Sequence, residues 1–176
     1  MTDTQSASPS VAATLVTPSI KRRLATLPYE GLLVLALIVI AAFPVSGLKG
    51  ATLSGVPHLL FQAYLFCVTA AYFTWFWRHG GQTLAMKTWR FRVVSTGGGE
   101  LNFATALTRF ICALLFYGPA CVGTVLFFFP DRVNPVITMW AFLPLAATIL
   151  WARHDSDRQF LHDRMAGTRL VDAKRA

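Results

Sequence analysis

Residues 27–48 of the chain read LPYEGLLVLALIVIAAFPVSGL, an apolar run in which Glu30 is the one charged side chain. A helix of about 20 apolar residues is long enough to cross the hydrocarbon core of a bilayer. Three further runs of similar length and composition cover residues 56–77, 106–129 and 133–152. The sequence therefore predicts an all-α membrane protein with four transmembrane helices.

The overall composition agrees with a membrane protein. Of 176 residues, 55% are hydrophobic and 14% are charged, whereas soluble domains carry about 25% charged residues. A net charge of +8 would suggest nucleic acid as a partner of a soluble protein. Here the basic residues alternate with long apolar runs, so they indicate membrane topology and no nucleic-acid partner is expected.

The placement of Lys and Arg predicts the orientation. The N-terminal flank, the connection over residues 78–109 and the tail from residue 153 together hold fourteen of these residues, against two in the turns at 49–55 and 130–132. Positively charged loops stay in the cytoplasm. We expect two helical hairpins, with both termini and the central connection cytoplasmic and the two short turns outside.

The segments outside the membrane carry patterns of their own. Residues 1–19 are rich in Ser, Thr, Ala and Pro and are expected to form a disordered tail. The membrane domain then covers residues 20–172, and residues 173–176 form a C-terminal tail. Trp75, Trp77 and Trp151 close two of the helices, where indole rings favour the membrane interface.

Residues 89–93 alternate aromatic or aliphatic side chains with arginine, the period of a half-buried strand. A turn over residues 95–99 and a short return strand over 100–102 follow, with Asn102 as the cap of the third helix. In the tail, a short helix is expected from Asp157 to Ala166 with Asp157 near its N-cap. Gly167 would end that helix, and residues 168–171 would form a strand that pairs with residues 90–94.

Glu30 is the most informative candidate, because an ionisable group inside a membrane helix suggests a functional site. Arg23 lies two turns earlier on nearly the same face, and Arg109 opens the third helix. Either arginine is a candidate partner that would tune the protonation of Glu30. A structural alternative remains: Pro28 favours the first turn of a helix, which would put Glu30 at headgroup depth. Arg109 has a structural alternative of its own, since an arginine at a helix end commonly extends to the interface and fixes the orientation of its helix.

The remaining polar residues give weaker signals. Pro44, Pro119 and Pro144 either kink their helices or free carbonyls for a cation. The glycine clusters at 80–81 and 97–99 lack the surroundings of a nucleotide site and fit tight turns. The four histidines do not show the spacing of metal ligands. No nucleophile and base occur at a recognisable spacing, so no catalytic residue, cofactor or metal is expected and an enzyme is not predicted.

Three motifs in order point to a known family. They are Arg22-Arg23-Leu24-Ala25 before an acidic first helix, residues 80–87 (GGQTLAMK) followed by 90–94 (RFRVV), and residues 161–169 (LHDRMAGTR). Together they resemble the RDD family of bacterial membrane proteins over about residues 20–172, and the resemblance implies that the membrane is the bacterial cytoplasmic (inner) membrane. The family is named after one arginine and two aspartates. The resemblance aligns Arg23 with the arginine and Asp163 with the second aspartate, and Glu30 stands in place of the first.

The resemblance implies transport of unspecified ligands, with cation/proton antiport for some member. The first hypothesis is therefore a small transporter in which Glu30 alternately binds H⁺ and a cation, Arg23 tunes it, Arg109 is a further partner, and Asp163 with Arg164 gates the cytoplasmic mouth. Four helices enclose little volume, so a homo-oligomer or a partner subunit is expected. The alternative is a non-transporting interaction or assembly module whose basic cytoplasmic face binds anionic lipid headgroups or a partner protein.

Overall fold

The computed structural model describes residues 16–48, 55–128 and 135–173. In chain order its elements are α1 (Ile20–Leu48), α2 (Val56–Arg78), α3 (Leu84–Thr88), β1 (Phe91–Ser95), α4 (Phe103–Phe127), α5 (Pro135–Trp140), α6 (Leu143–His154), α7 (Leu161–Met165) and β2 (Thr168–Asp172). Several predicted segments lie outside the described residues: the turn at 130–132, nearly all of the turn at 49–55, and most of both predicted tails.

Four stretches of the described chain are long and apolar enough to cross a membrane. They are Ile20–Val45, Val56–Arg78, Phe103–Phe127 and Pro135–His154. Large apolar side chains such as Ile40, Phe43 and Leu115 are more than half exposed. Apolar surface of this extent is stable only against lipid or another apolar partner. The predicted all-α membrane fold with four transmembrane helices is confirmed.

The first helix starts earlier than predicted, at Ile20 instead of residue 27. The Ser19 hydroxyl accepts a hydrogen bond from the Arg22 amide (3.4 Å), and the Ser19 carbonyl accepts one from the Arg23 amide (3.2 Å). Pro28 lies inside the helix and not in its first turn, so the placement of Glu30 at the helix N-terminus is wrong. A proline removes one main-chain hydrogen bond, which a long membrane helix tolerates.

The fourth span is two helices, where the sequence predicts one continuous helix over 133–152. α5 ends at Trp140 and α6 begins at Leu143, with a turn at residues 141–142. Pro144 occupies the first turn of α6. Its ring would clash with the carbonyl four residues earlier, at Trp140, so the first helix has to end there.

Helix α4 lies in the middle of the arrangement. It packs against α2 on one side and against α5 and α6 on the other, and α1 packs mainly on α2 and α3. Gly123 permits the close approach of α4 to α5 and to the turn after it, because a Cβ at this position would lie 3.3 Å from the Thr138 carbonyl oxygen and 2.8 Å from the Ala141 Cβ. The central position of α4 means that residues near its start can reach most of the elements beyond the membrane.

The predicted pairing of the central connection with the tail is confirmed. β1 and β2 form an antiparallel pair, in which Val93 lies opposite Leu170. These two residues join a core that also contains Trp77, Phe91, Leu101, Ala106 and Phe110. The expected return strand over residues 100–102 does not form: Leu101 packs in this core, and the chain passes from the turn at residues 95–99 directly to the cap of α4. Asn102 caps α4 as predicted, accepting a hydrogen bond from the Thr105 amide (2.7 Å).

The C-terminal helix is shorter than predicted. α7 spans Leu161–Met165, and Phe160 occupies its N-cap position in place of Asp157. The backbone of Arg158 has a positive φ of 53°, which no helix continues through. Gly167, with φ of 63°, ends the helix as predicted.

The described end of the predicted N-terminal tail is ordered by contacts with the C-terminal segment. The carbonyl of Val16 accepts a hydrogen bond from the Asp172 amide (2.8 Å), and the Thr17 hydroxyl accepts one from the Gln159 side chain (3.2 Å). Trp75 and Trp151 are exposed, and their role at the membrane interface stays a prediction, but that role is wrong for Trp77, which is buried in the core.

Gly81 provides a test of how the central connection is held. Its φ is +72°, and its carbonyl accepts a hydrogen bond from the Val93 amide (2.7 Å). A Cβ at Gly81 would lie 2.4 Å from the Val93 carbonyl oxygen. We expect Gly81→Ala to destabilise the fold by about 1–3 kcal/mol, measured by thermal unfolding in detergent. Gly97→Ala, in open space, is the control, and equal melting temperatures for both variants would refute this.

Candidate functional site

Two separate polar clusters lie at the ends of the spanning helices. The first is built on Arg109, in the second turn of α4 after the Asn102 cap, and on Asp163 in α7. Arg109 is 3% exposed and Asp163 is fully buried. The Arg109 Nη1 donates to Asp163 Oδ1 and to the Thr168 hydroxyl, the latter at 2.7 Å. This contact joins α4, α7 and β2.

Other side chains complete the surroundings of this ion pair. The Arg109 guanidinium lies over the Trp77 ring, 4.8 Å from its centroid, a cation–π contact. The Thr168 hydroxyl donates to the Asp163 carbonyl (3.1 Å), and the His162 Nε2 lies 3.2 Å from Asp163 Oδ1. Among the described residues, Asp163 Oδ2 has no hydrogen-bond partner.

The electrostatics of Asp163 favour its charged form. Burial alone raises the pKa of Asp163, but Arg109 and His162 together outweigh burial and bring this pKa well below its usual range. A buried carboxylate with a lowered pKa is ionised at neutral pH. Asp163 therefore remains the counter-charge of Arg109 under physiological conditions.

Arg23 belongs to the edge of the same cluster. It is 3% exposed, its Nη2 donates to the Arg158 carbonyl, and its guanidinium lies 4.5 Å from the centroid of the Phe160 ring. Asp163 lies within electrostatic range of Arg23. Arg23, Arg109 and Asp163 are thus brought together, although the sequence paired neither arginine with this aspartate.

Glu30 forms the second cluster. The Tyr72 hydroxyl donates to Glu30 Oε1 (3.0 Å), and the Thr83 hydroxyl donates to Glu30 Oε2. Tyr72 lies on α2, and Thr83 is the N-cap of α3, where its hydroxyl also accepts from the Met86 amide. Glu30 consequently links α1, α2 and the start of the central connection.

The expected pairing of Glu30 with Arg23 or Arg109 is not what the structure shows. Seven residues of helix separate Arg23 from Glu30, a rise of about 10 Å, and this leaves the two side chains in different layers of polar contacts. Arg164 follows Asp163 in the chain, but the two side chains do not pair. The half-exposed side chain of Arg164 pairs with Asp155 (2.8 Å). The proposed gate of Asp163 with Arg164 therefore finds no contact in the structure.

Several members of these clusters were missed at the level of sequence. Tyr72, Thr83, His162 and Thr168 are ordinary residues in their local patterns, and only the tertiary fold gives them a charged neighbour. The available signal was topological: Arg109 and Asp163 lie on the same predicted side of the membrane and carry opposite charge. Within residues 16–48, 55–128 and 135–173, no group of three or more His, Cys, Asp or Glu side chains could hold a metal.

Comparison with known families agrees with the motifs. The model of the RDD family matches residues 17–167. The chain belongs to the RDD family. With four helices that could span a membrane, it is a multi-pass membrane protein. The match includes Arg23, Glu30, Arg109 and Asp163, so the charged residues that define both polar clusters lie within the matched region, and Thr168 is the first residue after it. No curated protein and no solved structure matches the chain.

The buried ion pair leads to a stability prediction. Asp163→Asn leaves the Arg109 charge buried without a counter-charge, which costs about 3–5 kcal/mol. We expect a large drop in melting temperature in detergent. Asp157→Asn is the matched control, because Asp157 is 54% exposed and lies 3.6 Å from the exposed Arg164. A melting temperature of Asp163→Asn equal to that of the control would contradict a structural role for the pair.

The lowered pKa of Asp163 predicts how stability depends on pH. Because this pKa is lower in the folded than in the unfolded chain, the stabilisation is complete above the unfolded value of about 3.9 and is lost as pH falls below it. Melting curves recorded from neutral pH down to about pH 3 should show this decline. In Asp163→Asn the decline should be shallower, and in Asp157→Asn it should match the wild type. Identical slopes in all three proteins would refute the assignment.

Proposed function

We propose that this RDD-family membrane protein is a small transporter that exchanges a cation for protons at Glu30. The proposal rests on the hydrogen-bond partners of Glu30. Two hydroxyl groups donate to its carboxylate, and among the described residues no basic side chain pairs with it. A carboxylate whose charge no fixed cation neutralises is open to a proton or a mobile cation.

The chemistry of the two hydroxyls suits both ligands. A hydroxyl donates to the charged carboxylate, and it accepts from the carboxyl group once a proton is bound. The same oxygen atoms, with the carboxylate, form the kind of hard ligand set that alkali and alkaline-earth cations take. Proton and cation would therefore compete for one place, and this competition is the basis of exchange.

The position of Glu30 fits entry from one side of the membrane. Tyr72 lies about 9 Å along α2 from the end of that helix at Arg78, and Thr83 lies just beyond it. The site would be at the mouth of the membrane region, next to the central connection. The excess of Lys and Arg in that connection supports a cytoplasmic position for it and for both termini, in a bacterial inner membrane.

The two arginines have a different role in this proposal. Arg109 and Arg23 are engaged with Asp163 and the Arg158 carbonyl, so they hold the cytoplasmic elements and stay away from Glu30. Helix α1 is largely exposed along its apolar length. A second copy of the chain or a partner subunit would supply the wall that the ion pathway lacks on this side.

Flux measurements with Glu30 variants test the proposal. Purified protein in proteoliposomes with a pH dye inside should respond to Na⁺, Li⁺ or K⁺ gradients. Glu30→Gln should abolish the response, because an amide neither ionises nor exchanges a proton. Glu30→Asp should retain part of it. Glu100→Gln changes an exposed acid in the turn after β1 and serves as the control that stays active.

A Tyr72 variant extends the same flux measurement to one of the two hydroxyl groups that contact Glu30. Tyr72→Phe removes the hydrogen bond to Glu30 Oε1, and we expect the apparent cation affinity to change about tenfold, as for a hydrogen bond to a charged group. Tyr64→Phe is the matched control, since Tyr64 is an exposed residue of the same helix. The proposal would be overturned if the wild-type protein gave no dye response to any of the three cation gradients, or if wild type and Glu30→Gln showed equal flux.

A second candidate is the interaction module with a basic face. In the register of the sheet, Arg92 and Arg169 are diagonal neighbours on the same face, and the exposed Arg90 adjoins them. A partner protein with an acidic surface would fit this face. Loss of a co-purifying protein in Arg90→Ala/Arg92→Ala, together with silent flux, would favour this function over exchange.

A further inference from the structure

A basic cleft lies where α1 begins and α6 ends. It has a volume of about 340 Å³ and is lined by Ser19, Ile20, Lys21, Ala152, Arg153 and Arg158. This volume is at the lower end of the range of small-ligand sites, roughly 300–1,000 Å³. The cleft is separate from the Glu30 cluster, and the inference drawn from it does not depend on ion exchange.

The charge of the cleft is one-sided. Lys21, Arg153 and Arg158 contribute three cations from three parts of the chain, and the lining contains no acid. The acids of the neighbouring connection, Asp155 and Asp157, face Arg164 at 2.8 and 3.6 Å. None of the three cleft cations takes part in an ion pair with another described residue. An anion is therefore the ligand that this surface would attract.

The depth of the cleft points to a ligand carried by the membrane. Two of the candidate spans, Ile20–Val45 and Pro135–His154, have an end at the cleft. Trp151 precedes the lining residue Ala152 and is 45% exposed, and indole rings favour the layer between headgroups and acyl chains. The cleft then opens at the level of the lipid phosphates.

A hydrogen bond from Arg23 holds the backbone of Arg158 in place. Its φ of 53° is unusual for a residue other than glycine, and its carbonyl accepts a hydrogen bond from the buried Arg23. A fixed backbone reduces the ordering that a ligand has to impose. Arg23 thus acts as a positioning residue for one wall of the cleft.

We propose that this cleft binds the phosphate group of an anionic glycerophospholipid. Guanidinium groups such as those of Arg153 and Arg158 bind phosphate through paired N–H donors, and Lys21 adds a point charge. The acyl chains of the bound lipid would lie along the exposed apolar surface of α1 and α6. The ligand is a single, specifically held lipid at the junction of the first and last spanning helices.

Lipid titration of the purified full chain in detergent tests this proposal. The probe is short-chain phosphatidylglycerol, followed by native mass spectrometry. Arg153→Gln/Arg158→Gln should weaken binding roughly tenfold or more. The matched control is Arg78→Gln/Lys87→Gln, which removes two exposed cations at the same side of the bundle and should bind as the wild type does. Arg153→Lys/Arg158→Lys keeps the charge but removes the paired N–H donors, so its affinity should lie between that of the Gln pair and that of the wild type.

The outcomes separate the sources of the anion. Equal weakening by both Gln pairs would overturn the proposal in favour of a diffuse positive field. Displacement of phosphatidylglycerol by inorganic phosphate at similar concentration would overturn the lipid assignment, because the acyl chains would then contribute nothing. Because all four substituted residues are exposed, we expect each variant to keep the wild-type melting temperature without lipid, and this measurement identifies a variant that fails to fold.

Discussion

The ion pair of Arg109 with Asp163 is the contact on which the arrangement outside the membrane depends. It joins the central helix of the bundle to the last helix and, through Thr168, to the second strand. A buried charge costs several kcal/mol unless a counter-charge and hydrogen bonds offset its loss of hydration, and Asp163 gives Arg109 that counter-charge. Neither α7, with five residues, nor the sheet, with two strands, is large enough to be stable alone. The pair and the apolar core around Trp77 and Phe91 therefore define one position for all of them.

The same ion pair determines which partners are available to the Glu30 carboxylate. Arg23 and Arg109 are directed toward the Arg158 carbonyl and Asp163, so hydroxyl groups are the donors to the Glu30 carboxylate among the described residues. Within this part of the chain, charge is thereby divided into a fixed cluster, which holds the structure, and a carboxylate that no arginine neutralises. This division is the physical basis of our preference for exchange at Glu30. Of the three positions after which the family is named, Arg23 and Asp163 belong to the fixed cluster, and Glu30 is the separate carboxylate.

Features that depend on local pattern could be predicted from the sequence. Hydropathy over about 20 residues identifies the four spans, and the alternation at residues 89–93 with the tail at 168–171 identifies the strand pair. Features that depend on tertiary contacts could not be predicted in this way. The start of α1 at Ile20 depends on Ser19 and on contacts of the preceding residues with the tail, and the partner of Arg109 lies 54 positions away. The break at residues 141–142 was within reach, because Pro144 carried the necessary signal.

The sheet has a consequence for the order in which the protein is made. Its first strand lies in the middle of the chain, but its partner strand and α7 lie within the final sixteen residues. A ribosome delivers the N-terminal portion first, so all four candidate spans are made before α7 and β2. Until residues 161–172 have been made, Arg109 has no carboxylate from Asp163, and the strand pair that joins the central connection to the C-terminal segment cannot form. The spanning helices therefore obtain their common attachment only after the last of them has been synthesised.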